Sequence, residues 1–367
     1  MFQITPHTRV RRSPYFDATV AAGVVGFTAY NQMLLPTGYG DPEAEYRRLL
    51  NGVTQWDVAA QRQVEITGPD AGRLAQILTP RDLSTCVRGQ GKYAALCNHA
   101  GTIINDPIVL KLDEDRYWLS IADSNILFWS RAIAAERRLD AAVTEPDVSP
   151  MAVQGPGAED VVASVFGAWV RELKHFRFRR ADIEGIPLIL ARSGWSRQGG
   201  FELYLMDGTR GTALWDLIHE AGRPWDIAAG CPNATERIES GLLSWGGDTD
   251  DNTNPFEVRL EKYVDLEVGD EVVGIEALRR IRQRGVARHQ LGLILEDDAP
   301  MQPHPVWHAI RADGRKVGHM TNGIWSWRLE RNIGFALVSR EISPGDTVEV
   351  LKEGRRIPGT LTELPFI

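Results

Sequence analysis

Two stretches of this chain share one pattern, and that pattern limits the folds open to it. QVEITGPDAGRLAQIL (residues 63–78) and MAVQGPGAEDVVASVF (residues 151–166) each read as a strand, a Gly-Pro pair and an amphipathic helix. The prolines fall where a first helical turn tolerates them, because the N–H that proline lacks would be unpaired there. The echo points to related α+β pieces. Neither copy is a phosphate loop, since GxxxxGK[ST] and GxGxxG occur nowhere in the chain.

Between the two copies, KYAALCNHAGTIINDPIVLKLDEDRYWLSIAD reads as strands separated by turns at His99-Ala100-Gly101 and Asp113-Glu114-Asp115. DSNILFWSRAIAAERR then has helical period, with Asp123 or Ser124 as N-cap. Beyond the second copy, IEGIPLILARSG and GGFELYLM are expected strands flanking the polar loop WSRQG. RGTALWDLIHEAG is an expected helix ending at Gly222, and CPNATERIESGLLSWG is another. The texture changes near residue 246. Short apolar runs such as HQLGLILE, NIGFALV and DTVEVLKEGRRIPGTLTEL alternate with Gly, Asp and Pro turns, which suits a small β-barrel or sandwich.

Composition excludes several classes. A chain of 367 residues has room for two or three domains, and 43% hydrophobic with 25% charged residues is ordinary globular content. RVRR near the start and RELKHFRFRR (171–180) are the basic runs of a chain with net charge −8. The second interleaves aromatics with cations, as nucleic-acid binders do, but a strand or helix with a solvated basic face fits an acidic whole better. The three cysteines, Cys86, Cys97 and Cys231, have no CxxC spacing and read as reduced thiols. No run reaches the ~18 apolar residues of a membrane helix, and VAAGVVGF after RVRR is too short and too interrupted for a leader. A soluble, cytoplasmic protein is expected.

Few residues look equipped for chemistry. Of eight histidines only His304 and His308 lie close, and Pro305 opposes the helix that would align them, so no metal site is expected. No GxSxG elbow is present. Asp106 is the sharper candidate. Within GTIINDPIVLKL, Asn105-Asp106-Pro107 interrupts a run of strand formers, and Pro107 removes a ladder donor, as at a bulge or a sheet edge. A carboxylate re-aimed there either meets a ligand or satisfies nearby backbone amides; the local sequence leaves both open. In GGFELYLM, Phe201, Leu203 and Leu205 share one strand face, and Glu202 and Tyr204 the other, a solvated face or a cleft wall. Eleven tryptophans are many, and Trp118, Trp195, Trp325 and Trp327 sit beside polar residues. Aromatic faces attract sulfonium and quaternary ammonium groups, and core packing is the alternative for each.

NHAGTIINDPIV, AVQGP, RSGWSRQGGFEL, RIESGLLSWGGDTD and TNGIWSWRLERNIGFAL together resemble, in order and spacing, the folate-binding aminomethyltransferase family of the glycine cleavage T-protein. The resemblance implies an α+β, three-domain cloverleaf with a β-barrel-like C-terminal domain. The expected division is a discontinuous folate-binding domain (1–50 plus 145–245), an α+β domain (51–144) and a β-rich domain (246–367). It implies tetrahydrofolate as one-carbon acceptor and Asp106 as the catalytic aspartate near the reactive folate nitrogens. It also implies that Glu202 hydrogen-bonds the pterin and that Trp195 takes the place of a folate-contacting tyrosine. Tyr93 is a further candidate beside folate, and Tyr30, Trp118 and Trp195 are candidates for donor binding.

Two departures narrow the resemblance. Where T-proteins carry the arginine of an AARD stretch, this chain has Asn233 in AGCPNATERIES, and the family's paired aspartates are Asn105-Asp106. YNQMLLP, WDVAAQRQVEI, EPDVSPMAVQGP and the terminal LPFI look more like the branch that demethylates dimethylsulfoniopropionate. That likeness implies a tetrahydrofolate-dependent methyltransferase that yields 5-methyltetrahydrofolate and a thioether acid. QGKY, GTIIN and SWRL leave other donors open: a quaternary ammonium, an N-methyl or an O-methyl compound. A non-catalytic folate-binding regulator is the remaining alternative. The expected partners are the small-molecule donor and tetrahydrofolate, with no nucleic acid and no membrane, and a homodimer is admitted.

Overall fold

The computed structural model describes residues 7–297, 299–304 and 306–367. Pro305, the residue invoked against a histidine metal site, lies outside the described residues. The chain forms two compact units: residues 1–75, 85–92 and 107–232, and residues 76–84, 93–106 and 233–367.

The first unit holds two mixed α/β layers. Its six-stranded sheet runs in the order Phe178–Ile183, Ile186–Ala191, Gly200–Leu205, Ser149–Gln154, Thr54–Asp57, Ala228–Gly230, and only the last pair is parallel. Met151, Val153, Leu190, Phe201, Leu203 and Leu205 on one face meet Val161 and Val162 of the helix Ala158–Phe166. Leu214, Trp215 and Ile218 of the helix Gly211–Gly222 complete that core. Burying each large side chain contributes roughly 1.5–3 kcal/mol.

A five-stranded sheet runs Ala142–Thr144, Gln63–Thr67, Arg116–Ser120, Ile108–Asp113, Gln90–Tyr93. Its Leu110, Leu112 and Trp118 pack on Tyr204, Ile189 and Phe178, the other face of the six-stranded sheet. The alternation expected for Phe201–Leu205 is therefore present, and its polar-looking face is buried instead of solvated, because a second sheet covers it.

Two local readings need correction, and a third, the solvated basic face, is present. Pro69 and Pro156 lie in turns two residues ahead of the helices Ala71–Ile77 and Ala158–Phe166, not within their first turns. The helix Ile126–Glu136 is preceded by Asn125, whose side chain makes no capping bond. Neither expected cap, Asp123 or Ser124, takes that position, and Asp123 instead accepts from the backbone N–H of Asn31 at 2.7 Å. The basic run 171–180 divides between a short 3₁₀ turn, Ala168–Glu172, and the strand Phe178–Ile183, whose Arg179 and Arg180 are exposed.

In the second unit six strands close a barrel, in the order Arg288–Leu295, Arg331–Ser339, Arg315–Ser326, His308–Ala312, Thr347–Lys352, Arg355–Thr362. Leu293, Ile310, Met320, Ala336, Val350 and Leu361 fill it. Closure removes the free strand edges that an open sheet would expose. Two helices accompany it. Ile275–Arg284 lies in the segment expected to be β-rich, and Ala234–Glu239 is much shorter than the expected CPNATERIESGLLSWG helix. Among the described residues no helix is long and apolar enough to cross a membrane.

Candidate active site

Asp106 follows the strand Ile103–Asn105, which pairs with Leu96–Cys97 across a register shift that leaves Ile104 as the extra residue. The next strand, starting at Ile108, belongs to the five-stranded sheet. Asp106-Pro107 is thus the step between two sheets, where the proline withdraws a ladder donor and the bulge turns the chain. Ile103 and Val109 enter cores, while Ile104 and Ile108, which flank the break, stay half-buried.

The Asp106 carboxylate accepts a hydrogen bond from the Tyr93 hydroxyl at 2.9 Å. The Tyr93 ring stands edge-on to Tyr263 with centroids 4.8 Å apart. Ala95, Ile103, Leu243 and Val258 form the apolar bed beneath. Burial pushes the Asp106 pKa up to about 7; Tyr93 and a backbone N–H pull it down, and the charge of Asp248 adds to the rise. Burial likewise raises the Tyr93 phenol, as does the neighbouring Asp106 charge, so its proton stays on. The pair can therefore offer a carboxylate that gains or loses a proton near neutrality beside a fixed hydroxyl donor.

The first unit holds the other candidates. Glu202 is 6% exposed. Its Oε2 accepts from the hydroxyls of Ser193 and Tyr204, the latter at 3.2 Å. Burial raises its pKa, and both hydroxyls oppose the rise. Tyr204 leans on Trp118 at 6.2 Å between ring centroids. Trp118 is fully buried, with its indole N–H donated to Glu65 at 2.8 Å, so the ring backs Tyr204 within the core. Trp195 is half-buried in the loop between the strands Ile186–Ala191 and Gly200–Leu205. Tyr30 ends the strand Gly26–Tyr30 and packs on the helix-covered core.

Sequence reading missed the groups that hold these residues. Gln154, fully buried in the QGP motif, donates to the Ser193 carbonyl at 3.2 Å and accepts from the Ser196 hydroxyl at 2.8 Å. It grips the Trp195 loop at both ends. A Cβ at Gly194 or at Gly200 would collide with the Gln154 amide, which is why both positions lack a side chain. Asn233, at the place of the T-protein arginine, accepts from the Glu236 N–H at 2.9 Å and caps the helix Ala234–Glu239. Its residue type, followed three positions later by Glu236, was the available signal. Asp248 is fully buried against Arg237 at 2.8 Å and Asn322 at 2.6 Å. Among the described residues no group of three or more His, Cys, Asp and Glu side chains is placed to hold a metal ion.

Residues 15–268 match the GCVT N-terminal domain, and residues 288–367 match the glycine cleavage T-protein C-terminal barrel domain. The dimethylsulfoniopropionate demethylase DmdA of Ruegeria pomeroyi is 41% identical over 99% of each chain. An aminomethyltransferase of Symbiobacterium thermophilum is 29% identical over 97% of each. In three dimensions, the aminomethyltransferase T of the glycine cleavage system from Bartonella henselae superimposes with a TM-score of 0.85 at 22% identity, over 98% of both chains. That likeness establishes the fold as the T-protein type, α+β with a closed six-stranded C-terminal barrel.

Proposed function

The chain belongs to the glycine cleavage T-protein family of folate-dependent one-carbon transferases, and on that premise we propose that it moves a methyl group from dimethylsulfoniopropionate, or a similar sulfonium, to tetrahydrofolate. The 41% identity to DmdA over nearly the whole chain supports this donor class. Asn105 and Asn233, which depart from the aminomethyltransferase pattern, accord with direct methyl transfer. The products are 5-methyltetrahydrofolate and a thioether acid.

The chemistry is redox-neutral. The N5 lone pair of tetrahydrofolate attacks the sulfonium methyl in line. The new C–N bond forms as the C–S bond breaks, and the electron pair stays on sulfur. A sulfonium is already an activated leaving group, so alignment is the protein's main task, and orientation alone supplies roughly 7–11 kcal/mol. Positive charge passes from sulfur to N5, and that nitrogen then sheds its proton. Asp106 stabilises the charge and accepts the proton, a role suited to a carboxylate that titrates at about 7. In this reading Glu202, oriented by Ser193 and Tyr204, hydrogen-bonds the pterin, with Trp195 and Tyr93 beside the folate. Tyr30 and Trp195 shape the donor side, whereas Trp118, a candidate for the same role, is fully buried and acts only as backing for Tyr204.

The observation that carries the proposal is the Asp106–Tyr93 pair. Replacing Asp106 by Asn, with folding monitored by circular dichroism, is expected to lower 5-methyltetrahydrofolate formation by roughly 10²–10⁴-fold. Unchanged turnover removes Asp106 from the mechanism. A screen of sulfonium, quaternary ammonium, N-methyl and O-methyl donors for methyl- against methylene-tetrahydrofolate fixes the donor.

The finer organisation belongs to the same proposal. The folate-binding domain takes residues 1–50 and 145–245, a second domain 51–144 and a third 246–367. The protein acts in the cytoplasm, in keeping with its three free cysteines, as a homodimer that light scattering would detect.

A further inference from the structure

The basic run 171–180 is left unused by the mechanism, and it lines a groove of about 670 Å³ in the first unit. That volume lies within the range of small-molecule sites. Arg88, Lys174, Arg177, Arg179 and Arg180 bring five cations to its walls against the single carboxylate of Glu172, in a chain whose net charge is −8.

The fold treats these cations differently from their neighbours. Arg171 is paired with Glu159 and Asp160 at 2.9 and 2.7 Å, and Arg192 with Glu159 at 2.6 Å. Lys174, Arg177 and Arg180 have no ion pair among the described residues. Arg88 reaches Asp113 only at 3.8 Å, and Arg179 lies over the Trp169 ring at 5.4 Å.

The groove is also built on a fixed frame. The Phe178 N–H donates to the Gly89 carbonyl at 3.0 Å, and the Gly91 N–H to Phe176 at 2.7 Å, tying the 88–91 segment to the basic run. Phe176 holds φ at +56°, a region that bulky residues seldom occupy. That turn lies between Lys174 and Arg177. Leu112, Phe178 and Ile189 give an apolar floor, packed in the cluster that holds Trp118 and Tyr204.

We propose that this groove binds a small anion with two or more negative charges beside an apolar portion. Guanidinium forks match carboxylate and phosphate oxygens in pairs, and the floor accepts the apolar part. The proposal stands on the groove alone and does not require the folate reading. Two sources of this chemistry exist: a free di- or tri-anion, or the glutamyl carboxylates of a folate.

Calorimetric titration of the full chain with pyrophosphate, tricarballylate and p-aminobenzoyl-tri-γ-glutamate, at low and at moderate salt, tests it. Saturable, salt-sensitive binding of at least one probe is expected. Binding should weaken roughly tenfold in Arg177→Glu/Arg180→Glu. Lys174→Glu should weaken it less, and Arg315→Glu, a charge reversal on an exposed barrel arginine, should leave it unchanged. Preference for the glutamyl probe identifies a folate tail, and preference for the other two a free anion. Absence of saturable binding by all three probes, or equal weakening by Arg315→Glu, overturns the proposal. Melting curves of each variant confirm that it is folded.

Discussion

Asp106 and Asp248 lie in the same unit and are treated in opposite ways. Asp248 is fully buried and fully compensated: Arg237 at 2.8 Å, the Ser244 N–H at 2.8 Å and Asn322 at 2.6 Å share its two oxygens. Asp106 is only partly buried, yet its side-chain donor is a single neutral hydroxyl, and among the described residues no salt bridge involves it. Several donors, one of them a guanidinium, hold the Asp248 oxygens in place, whereas one hydroxyl leaves the proton equilibrium of Asp106 open. The charge on the compensated aspartate also helps to push the other one up. Fixed charge serves the fold, and movable charge is left for chemistry.

The sharpest way to break this contrast is Asp248→Ala. It strands Arg237 in the core and is expected to cost about 3–5 kcal/mol of stability in urea unfolding. A loss below about 1 kcal/mol would place Asp248 among the dispensable charges. Asp106→Asn should move stability the other way. The folded-state pKa of Asp106 is raised, so its favourable contribution is complete below the unfolded value and disappears as pH rises through about 7. The Asn variant should therefore gain on the wild type between pH 4 and 7. The gain should then hold near 1–2 kcal/mol at pH 8, after discounting for partial solvent exposure. Equal melting temperatures of the two proteins at pH 8 would contradict the origin of the shift.

Tyr93→Phe probes the hydroxyl itself. Tyr93 donates to the charged form, so its removal should raise the Asp106 pKa further and carry the rising limb of the pH–rate profile to higher pH. Activity should fall severalfold at pH 7 and recover as pH increases. An unmoved limb would mean that Asp106 is not the titrating group. The smallest expected effect is Ser193→Ala, which deletes one of two hydroxyl donors to Glu202. It should cost about 1 kcal/mol, seen as a roughly fivefold higher KM for tetrahydrofolate with kcat preserved.

How much of this could be read from residue order depends on the range of the forces involved. The break at Asp106-Pro107 was legible because proline has no N–H to donate to a ladder, whatever its surroundings. The alternation of Phe201, Leu203 and Leu205 against Glu202 and Tyr204 was legible for the same local reason. That the second face is buried was not, because Leu110, Leu112 and Trp118, which cover it, come from a different sheet. Short strands after residue 246 announced a β-domain, but closure depends on pairing Arg288–Leu295 with Arg355–Thr362, whose partners run from Gly292 with Thr362 to Leu295 with Gly359, far apart in the chain. The helix Ile275–Arg284 escaped notice because IEALRRIRQR is dominated by charge and its apolar face is only Ile275, Leu278 and Ile281 wide, with Ala277. Asp248 carried no local mark of its role, since Arg237 and Asn322 reach it through the fold.

The strand Phe178–Ile183 is the outermost of the six-stranded sheet, and beyond Phe178, whose N–H is bonded to Gly89, no further strand pairs with its margin among the described residues. Such margins invite a second chain to continue the ladder, the first step of much irreversible self-association. Here the exposed Arg179 and Arg180 sit side by side on that margin. Two copies approaching margin to margin would bring like charges together before a backbone hydrogen bond could form. The basic run thus also acts as a gatekeeper in a concentrated solution, and its removal should be felt first as turbidity during refolding rather than as a lower melting temperature.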